Sequence, residues 1–332
     1  MNHKQFVGID ISKETLDVFV YESKLHRQFL NGQKGFTSLL QWIKKIVKAD
    51  DLNQVLFCLE HTGMYSLSLS VFLEENYCVF ALISPLEIKR SLGITRGKND
   101  KIDASRIAEY AYQKREQIKP TKLPSKSILM LHPLLTLRDR LARERGGFVA
   151  TLKEQSRFLK IEEMTLLAQT YNRLIETLTE EIKHLEKEIK AIIKNDEQLA
   201  KTFDLITTIK GVGFLVATYL IVYTHNFTRF ENWRKFACYS GIAPFEYQSG
   251  SSVRGRTKVN PIANHQIKKM LHLAALSSAY TDTEMIAYYK KRVSEGKSKM
   301  CTLNIIRNKL VARVFAVVKR GTGYVDLMKF AA

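Results

Sequence analysis

Acidic residues are in short supply: 33 Asp and Glu stand against 52 Lys and Arg, a formal net charge of +19 over 332 residues. A surplus of that size implies an anionic partner, nucleic acid first and an anionic membrane surface second. Cysteine is scarce as well. Cys58, Cys78, Cys238 and Cys301 are scattered and form no CxxC pair, so neither a zinc site nor a disulfide framework is indicated. Long apolar runs are missing. The longest, Phe214 to Thr224, is too short to span a bilayer, which weakens the membrane reading. The opening residues reach Asp10 without a secretory h-region; with the cysteines unpaired, reducing cytoplasm is the expected compartment. There is no tandem repeat and no low-complexity tract.

What is present is patterned. Residues 4–10, 16–21 and 27–31 read as short strands, the first two rich in β-branched and aromatic residues. Phe36, Leu39, Leu40, Ile43 and Val47 fall at helical spacing. Val55 to Leu59 is a wholly apolar run of strand length ending on Glu60; residues 65–76 suit a helix, Cys78 to Ile83 a buried strand stopped by Ser84-Pro85, and Ile102 to Lys114 a helix. The order βββαβαβα is that of an RNase H-like mixed sheet with helices on its faces. Pro120 and Pro124 mark a linker over 119–127. From Ile128 to Lys201 the chain reads as nearly continuous helix. Leu167, Tyr171, Leu174, Leu178, Ile182, Leu185, Ile189 and Ile192 make a seam that fits a coiled coil or a long hairpin packed on its own domain. The expected organisation is a RuvC-like α/β domain over 1–120, linker and coiled-coil helices over 121–201, and a mainly helical domain over 202–332.

Four carboxylates carry the chemistry. Asp10 closes the first strand and Glu60 the fourth; Asp100 and Asp103 open the helix that follows Arg96-Gly-Lys-Asn. Carboxylates crowded together need a compensating cation, and Mg²⁺ prefers oxygen ligands shared with phosphates. Each acid has a blander role as well. Asp100 fits a helix cap, and the Gly-Ile-Asp opening also occurs in actin-like kinases, although their Gly/Thr-rich phosphate hairpin is replaced here by Ser12-Lys13-Glu14. Glu14 and Asp17 read as surface residues of the outer hairpin.

Two further motifs lie downstream. Ile209-Lys210-Gly211-Val212-Gly213 fits either the turn of a helix-hairpin-helix module, its glycine N–H groups facing a phosphate, or a plain helix–helix turn. It lacks the third glycine of a dinucleotide fingerprint, Val216 standing there. Tyr239-Ser-Gly-Ile-Ala-Pro244 leads to a loop with Ser249, Arg254, Arg256 and Lys258, whose cations suit a phosphate clamp; its serines also suit ordinary turn chemistry. No Ser-His-Asp spacing is evident, and His225, His265 and His272 read as structural or solvent-facing. Lys268 and Lys269 extend the basic surface.

Taken together, these residues resemble the DEDD-type insertion-sequence transposases, bridge-RNA-guided serine recombinases related to certain DNA invertases. The resemblance spans nearly the whole chain. Asp10, Glu60, Asp100 and Asp103 match the family's Asp, Glu and two Asp in order; Ile209 to Gly213 matches its Ile-x-Gly-x-Gly hairpin; Gly241 to Pro244 matches its Gly-Leu-x-Pro segment. The family's catalytic serine falls on Ser249. One departure is Thr257-Lys-Val-Asn-Pro-Ile-Ala, where many members have Thr-Lys-Ala-Gly. The resemblance implies a Mg²⁺-assisted DNA recombinase working through a phosphoserine, on donor and target duplexes, guided by a structured bridge RNA, as a homo-oligomeric dimer or tetramer. The rival expectations are an RNase H-like nuclease or junction resolvase using metal-activated water, and a non-catalytic nucleic-acid-binding protein.

Overall fold

A computed structural model describes residues 3–49, 51–91, 99–158, 165–250 and 253–326. The chain divides into two compact units, Met1–Leu123 and Pro124–Ala332. The first is built on β1 (Gln5–Ile11), β2 (Thr15–Val20), β3 (Leu25–Leu30), α1 (Gln33–Val47), β4 (Val55–Glu60), α2 (Met64–Glu75), β5 (Val79–Ile83), α3 (Pro85–Ser91) and α4 (Asp100–Gln113). The sheet order is β3-β2-β1-β4-β5. β1, β2 and β3 are antiparallel neighbours, whereas β4 and β5 run parallel to β1. This is the mixed RNase H-like sheet that the element order predicts.

The apolar runs explain themselves on this sheet. Val7, Ile9 and Ile11 of β1 point to one face, where they join Leu39, Ile43, Leu69 and Leu73 of α1 and α2. Phe6, Leu56, Cys58, Ala81 and Ile83 point to the other, against Ile107, Tyr110 and Ala111 of α4. Strands covered on both faces lose the polar alternation of half-exposed ones. Ser84-Pro85 ends β5 as expected, but the chain passes directly into α3, with Pro85 at its first position, where a missing N–H is harmless. Thr121 fastens the following segment to β5, its N–H donating to Phe80 O (2.7 Å) and its hydroxyl accepting from Leu82 N (2.9 Å).

The second unit is mainly helical: α5 (Lys126–Gln155), α6 (Thr165–Asn195), α7 (Glu197–Thr207), α8 (Phe214–Thr224) and α9 (Trp233–Tyr239), then two short β-pairs, then α10 (His265–Thr281), α11 (Thr283–Ser294) and α12 (Lys299–Arg320). α5 and α6 form an antiparallel hairpin. Arg138 meets Glu186, Arg145 meets Thr179 and Phe148 meets Tyr171, so positions rise on one helix as they fall on the other. The α6 seam is therefore covered, over Ile182, Leu185 and Ile189, within its own chain. Its far end stays open, with Leu167 38% and Leu174 40% exposed. α8 holds the longest apolar run and is buried on nearly all sides, which is why it needs no polar face. Among the described residues no helix is long and apolar enough to cross a membrane.

Between α9 and α10 the chain makes a small β-extension. β6 (Pro244–Phe245) pairs with β9 (Lys258–Val259), and β7 (Gln248–Ser249) pairs with β8 (Val253–Arg254).

Candidate metal centre and nucleic-acid interface

β1 and β4 are parallel neighbours in the register Ile9 to Leu59, so the next residues, Asp10 and Glu60, stand side by side on one face. α4 lies across that face. Its approach depends on Gly8: a Cβ there would overlap the Ala104 carbonyl and the Ala108 amide and stand 2.9 Å from Ala108 Cα. With no side chain between them, β1 and α4 touch backbone to backbone, and the first turn of α4 delivers Asp100 and Asp103 to the strand ends. The helix is capped by Asn99, whose Oδ1 accepts from Ile102 N at 2.8 Å. Asp100 is thus the first helical residue and not the cap, which leaves its carboxylate for other work.

The electrostatics tie the four together. Burial pushes the Asp10 carboxyl up to about 6, with repulsion from Glu60, Asp103 and Asp100 adding to it in that order and a hydrogen bond from the Ile11 N–H opposing it. Asp103 has a cationic partner, Arg106, at 2.9 Å one turn along the helix. Among the described residues, no group of three or more His, Cys, Asp or Glu side chains stands close enough together to hold a metal ion. Coulomb coupling reaches farther than coordination bonds do, so both observations describe one open acidic bowl. Its donors are hard carboxylate oxygens, the chemistry Mg²⁺ accepts.

Asp17, read from sequence as a surface residue, is only 5% exposed. It pairs with Asp10 across β1 and β2, and His26 Nε2 (2.8 Å) and Gln28 Nε2 (2.9 Å) hold its two oxygens. A buried carboxylate needs such partners. Gly8 was also missed as a positioning residue. A glycine inside a strand is the available signal, since it often marks close backbone approach.

In the second unit, Ile209 and Val212 are buried and anchor the turn between α7 and α8. Gly211 has φ +92°, and a Cβ on it would stand 2.7 Å from Ala274 O and 2.8 Å from Ser278 Cβ of α10. Gly213, the N-cap residue of α8, faces open space. The Lys210 ammonium is engaged by Asp326 at 2.9 Å. Ser249 lies in β7 opposite Val253, followed by Gly250 at φ +61°. Its side chain lies outside the described residues, as do Ser251 and Ser252. Arg254, Arg256 and Lys258 are exposed along the same extension. Ser240, by contrast, is buried and donates to Phe236 O at 2.8 Å, a structural hydroxyl.

Two family profiles match the chain. One, described as a transposase of the DEDD type found in IS110, covers residues 7–157, which include all four carboxylates. The other, described as the IS116/IS110/IS902 transposase family, covers residues 203–290, which include the glycine turn and the Ser249 loop. The chain belongs to this transposase family. The pilin gene-inverting proteins of Moraxella lacunata and Moraxella bovis are each 26% identical to the transposase over 324 residues, 96% of either chain. An uncharacterized 43.6 kDa protein of insertion element IS110 from Streptomyces coelicolor is 28% identical over 124 residues, 37% of the transposase and 30% of that protein.

The two glycines of the transposase's turn have separate jobs, which substitution will resolve. Gly211→Ala meets both a left-handed backbone and α10, and is expected to destabilise by about 2 kcal/mol or more. Gly213→Ala is expected to leave the fold within about 0.5 kcal/mol of wild type, and urea denaturation measures both. Equal losses would show that Gly211 is not wedged against α10. Lys268 is half-buried and Lys269 exposed on α10. His225 caps the end of α8 at φ 50°, its pKa pushed down to about 4 by burial, then by Arg229 and His132; His265 is exposed, and His272 contacts Arg307.

Proposed function

We propose that this transposase cuts and rejoins DNA through a covalent phosphoserine on Ser249, with Asp10, Glu60, Asp100 and Asp103 holding Mg²⁺ at the scissile phosphate. The observation that supports the reading is the acidic bowl, in which Glu60, Asp103 and Asp100 all act on the Asp10 carboxyl, in a chain of net charge +19. Bound Mg²⁺ would stabilise the charge on the attacking and leaving oxygens. The chain's own groups do the rest. Ser249 Oγ loses its proton and forms an ester with phosphorus, while the deoxyribose oxygen leaves and is protonated; attack by another strand's hydroxyl reverses the step and frees the serine. Arg254, Arg256 and Lys258 hold the phosphate, and Gly213, Lys268 and Lys269 hold more of the backbone. Lys210 also belongs to this surface, through exchange of Asp326 for a phosphate.

Retaining the phosphoester bond energy in the serine ester lets ends be resealed without another energy source. Two relatives are named as gene-inverting proteins, and inversion, like transposition, requires ends to be rejoined. That favours the recombinase over the nuclease or resolvase that hands the phosphate to water. Mass spectrometry of a trapped complex is expected to find DNA on Ser249, and single-turnover assays to give joined strands. Released ends with no adduct would establish the hydrolytic alternative. From the family resemblance, donor and target duplexes are chosen by a structured bridge RNA, and the active species is a homo-oligomer, dimer or tetramer. Protein purified with the element's transcript should retain that RNA over unrelated RNAs of equal length; equal retention would argue against guidance.

A further inference from the structure

Two largely buried arginines of the second unit are balanced by carboxylates. Arg313 meets Asp282 at 2.9 Å and also Glu284; Arg138 meets Asp139 and Glu186. Arg307 of α12 is different. It is 6% exposed, yet among the described residues no carboxylate lies within ion-pair distance of it. Its Nη1 donates to Asn304 Oδ1 at 3.3 Å, its Nη2 lies 2.5 Å from His272 Nδ1, and its Nε finds no acceptor. A guanidinium can only donate, so His272 must offer a lone pair and be neutral. Burial and the neighbouring charge of Arg307 push the imidazole's pKa down, in keeping with that state.

A buried cation with a neutral acceptor and an idle N–H is an arrangement that folding disfavours, because the desolvated charge is not compensated. It becomes favourable when an anion arrives. The location also matters. Asn304 and Asn308, on either side of Arg307, both donate to Ile242 O, at 2.9 and 3.0 Å. The turn of α12 that carries Arg307 is therefore clamped to Gly241-Ile-Ala-Pro244, the segment that leads into the Ser249 extension. Lys268 lies one turn before His272 on α10 and adds a second cation.

We propose that Arg307 and His272 form a receptor for one phosphodiester oxyanion at the base of the Ser249 extension. His272 is half-buried, and its Nδ1 lies against the guanidinium Nη2. Turning the imidazole aside exposes Nη2 and Nε, two donors whose fork matches two phosphate oxygens. Only the source of the phosphate, a DNA or RNA backbone, rests on the recombinase reading.

The test uses the full chain, with inorganic phosphate and a short duplex as separate probes. Phosphate should raise the thermal midpoint of wild type. Arg307→Met, free of the uncompensated charge, should melt about 2–4 °C higher without phosphate and show no response to it. His272→Ala should respond more strongly than wild type. In duplex binding, Arg307→Met should flatten the log–log salt slope by about 0.9, the value of one phosphate contact. A lower midpoint for Arg307→Met, or failure of that variant to fold, would make Arg307 a structural residue and overturn the receptor. An undiminished phosphate response in Arg307→Met would do so too. A phosphate response with an unchanged duplex slope would overturn the assignment to a nucleic-acid backbone. None of these outcomes depends on the Ser249 adduct, so either reading can fail alone.

Discussion

Asp10→Asn is expected to abolish metal-dependent strand cleavage and, in the same protein, to stabilise the metal-free fold. The two effects have one cause. Burial and three neighbouring carboxylates raise the Asp10 pKa from 3.8 to about 6, so the ionised form is tolerated less well folded than unfolded. Below about pH 3 the group is neutral in both states, and Asp and Asn should be equivalent; at pH 4 the gap between them is still small. As pH rises toward 6 the unfolded chain ionises first, and wild-type stability falls relative to the Asn variant. Above about pH 7 the gap is complete. Because Asp10 is partly exposed, water screens the repulsion, and the expected gain for Asp10→Asn is about 1–2 kcal/mol. Urea denaturation in EDTA at pH 4 and pH 7.5 measures it. Mg²⁺ titration should stabilise wild type strongly and the variant weakly, by linkage. A variant less stable than wild type at pH 7.5 would show that Asp10 is a structural hydrogen-bonding group, and retained cleavage would remove it from the metal centre.

The elements that carry these four acids were legible because local pattern and chemistry agreed. An apolar strand-length run ending on an acid, as at Val55 to Glu60, signals both the strand and the exceptional residue at its end. The cap was read one residue late: Asp100 fits that role from sequence, and only the backbone shows that Asn99 takes it. Asp17 was misread because its burial comes from cross-strand register and from His26 and Gln28 on the next strand, which no local window contains. The α6 seam has the spacing of a coiled coil. That spacing specifies an apolar stripe and not its partner, and α5 covers part of it. Arg307 reads from sequence as part of the basic surface, and its burial was invisible for the same reason. A charged residue in a helix reads as solvated until the helices around it are known to lack a carboxylate.

Gly8→Ala should damage the fold and, more severely, the placement of the α4 carboxylates. The new Cβ would lie inside the Ala104 carbonyl and the Ala108 amide, both backbone atoms of α4, so no side-chain rotation relieves it. The strand cannot yield, being paired to β2 on one side and β4 on the other. Movement is left to α4, and its first turn carries Asp100 and Asp103. Overpacking of this kind costs about 1–3 kcal/mol, and more where the obstacle is backbone. Its effect on activity should be larger, since displacing catalytic groups by about 1 Å can lower rates on the order of 100-fold. Cleavage at saturating Mg²⁺ should therefore fall by at least that factor at temperatures where circular dichroism shows the protein folded. Gly32→Ala, in the same unit and with nothing near its Cβ, is the matched control. Near-normal cleavage by folded Gly8→Ala would mean that the backbone contact of α4 with β1 does not set the position of its carboxylates.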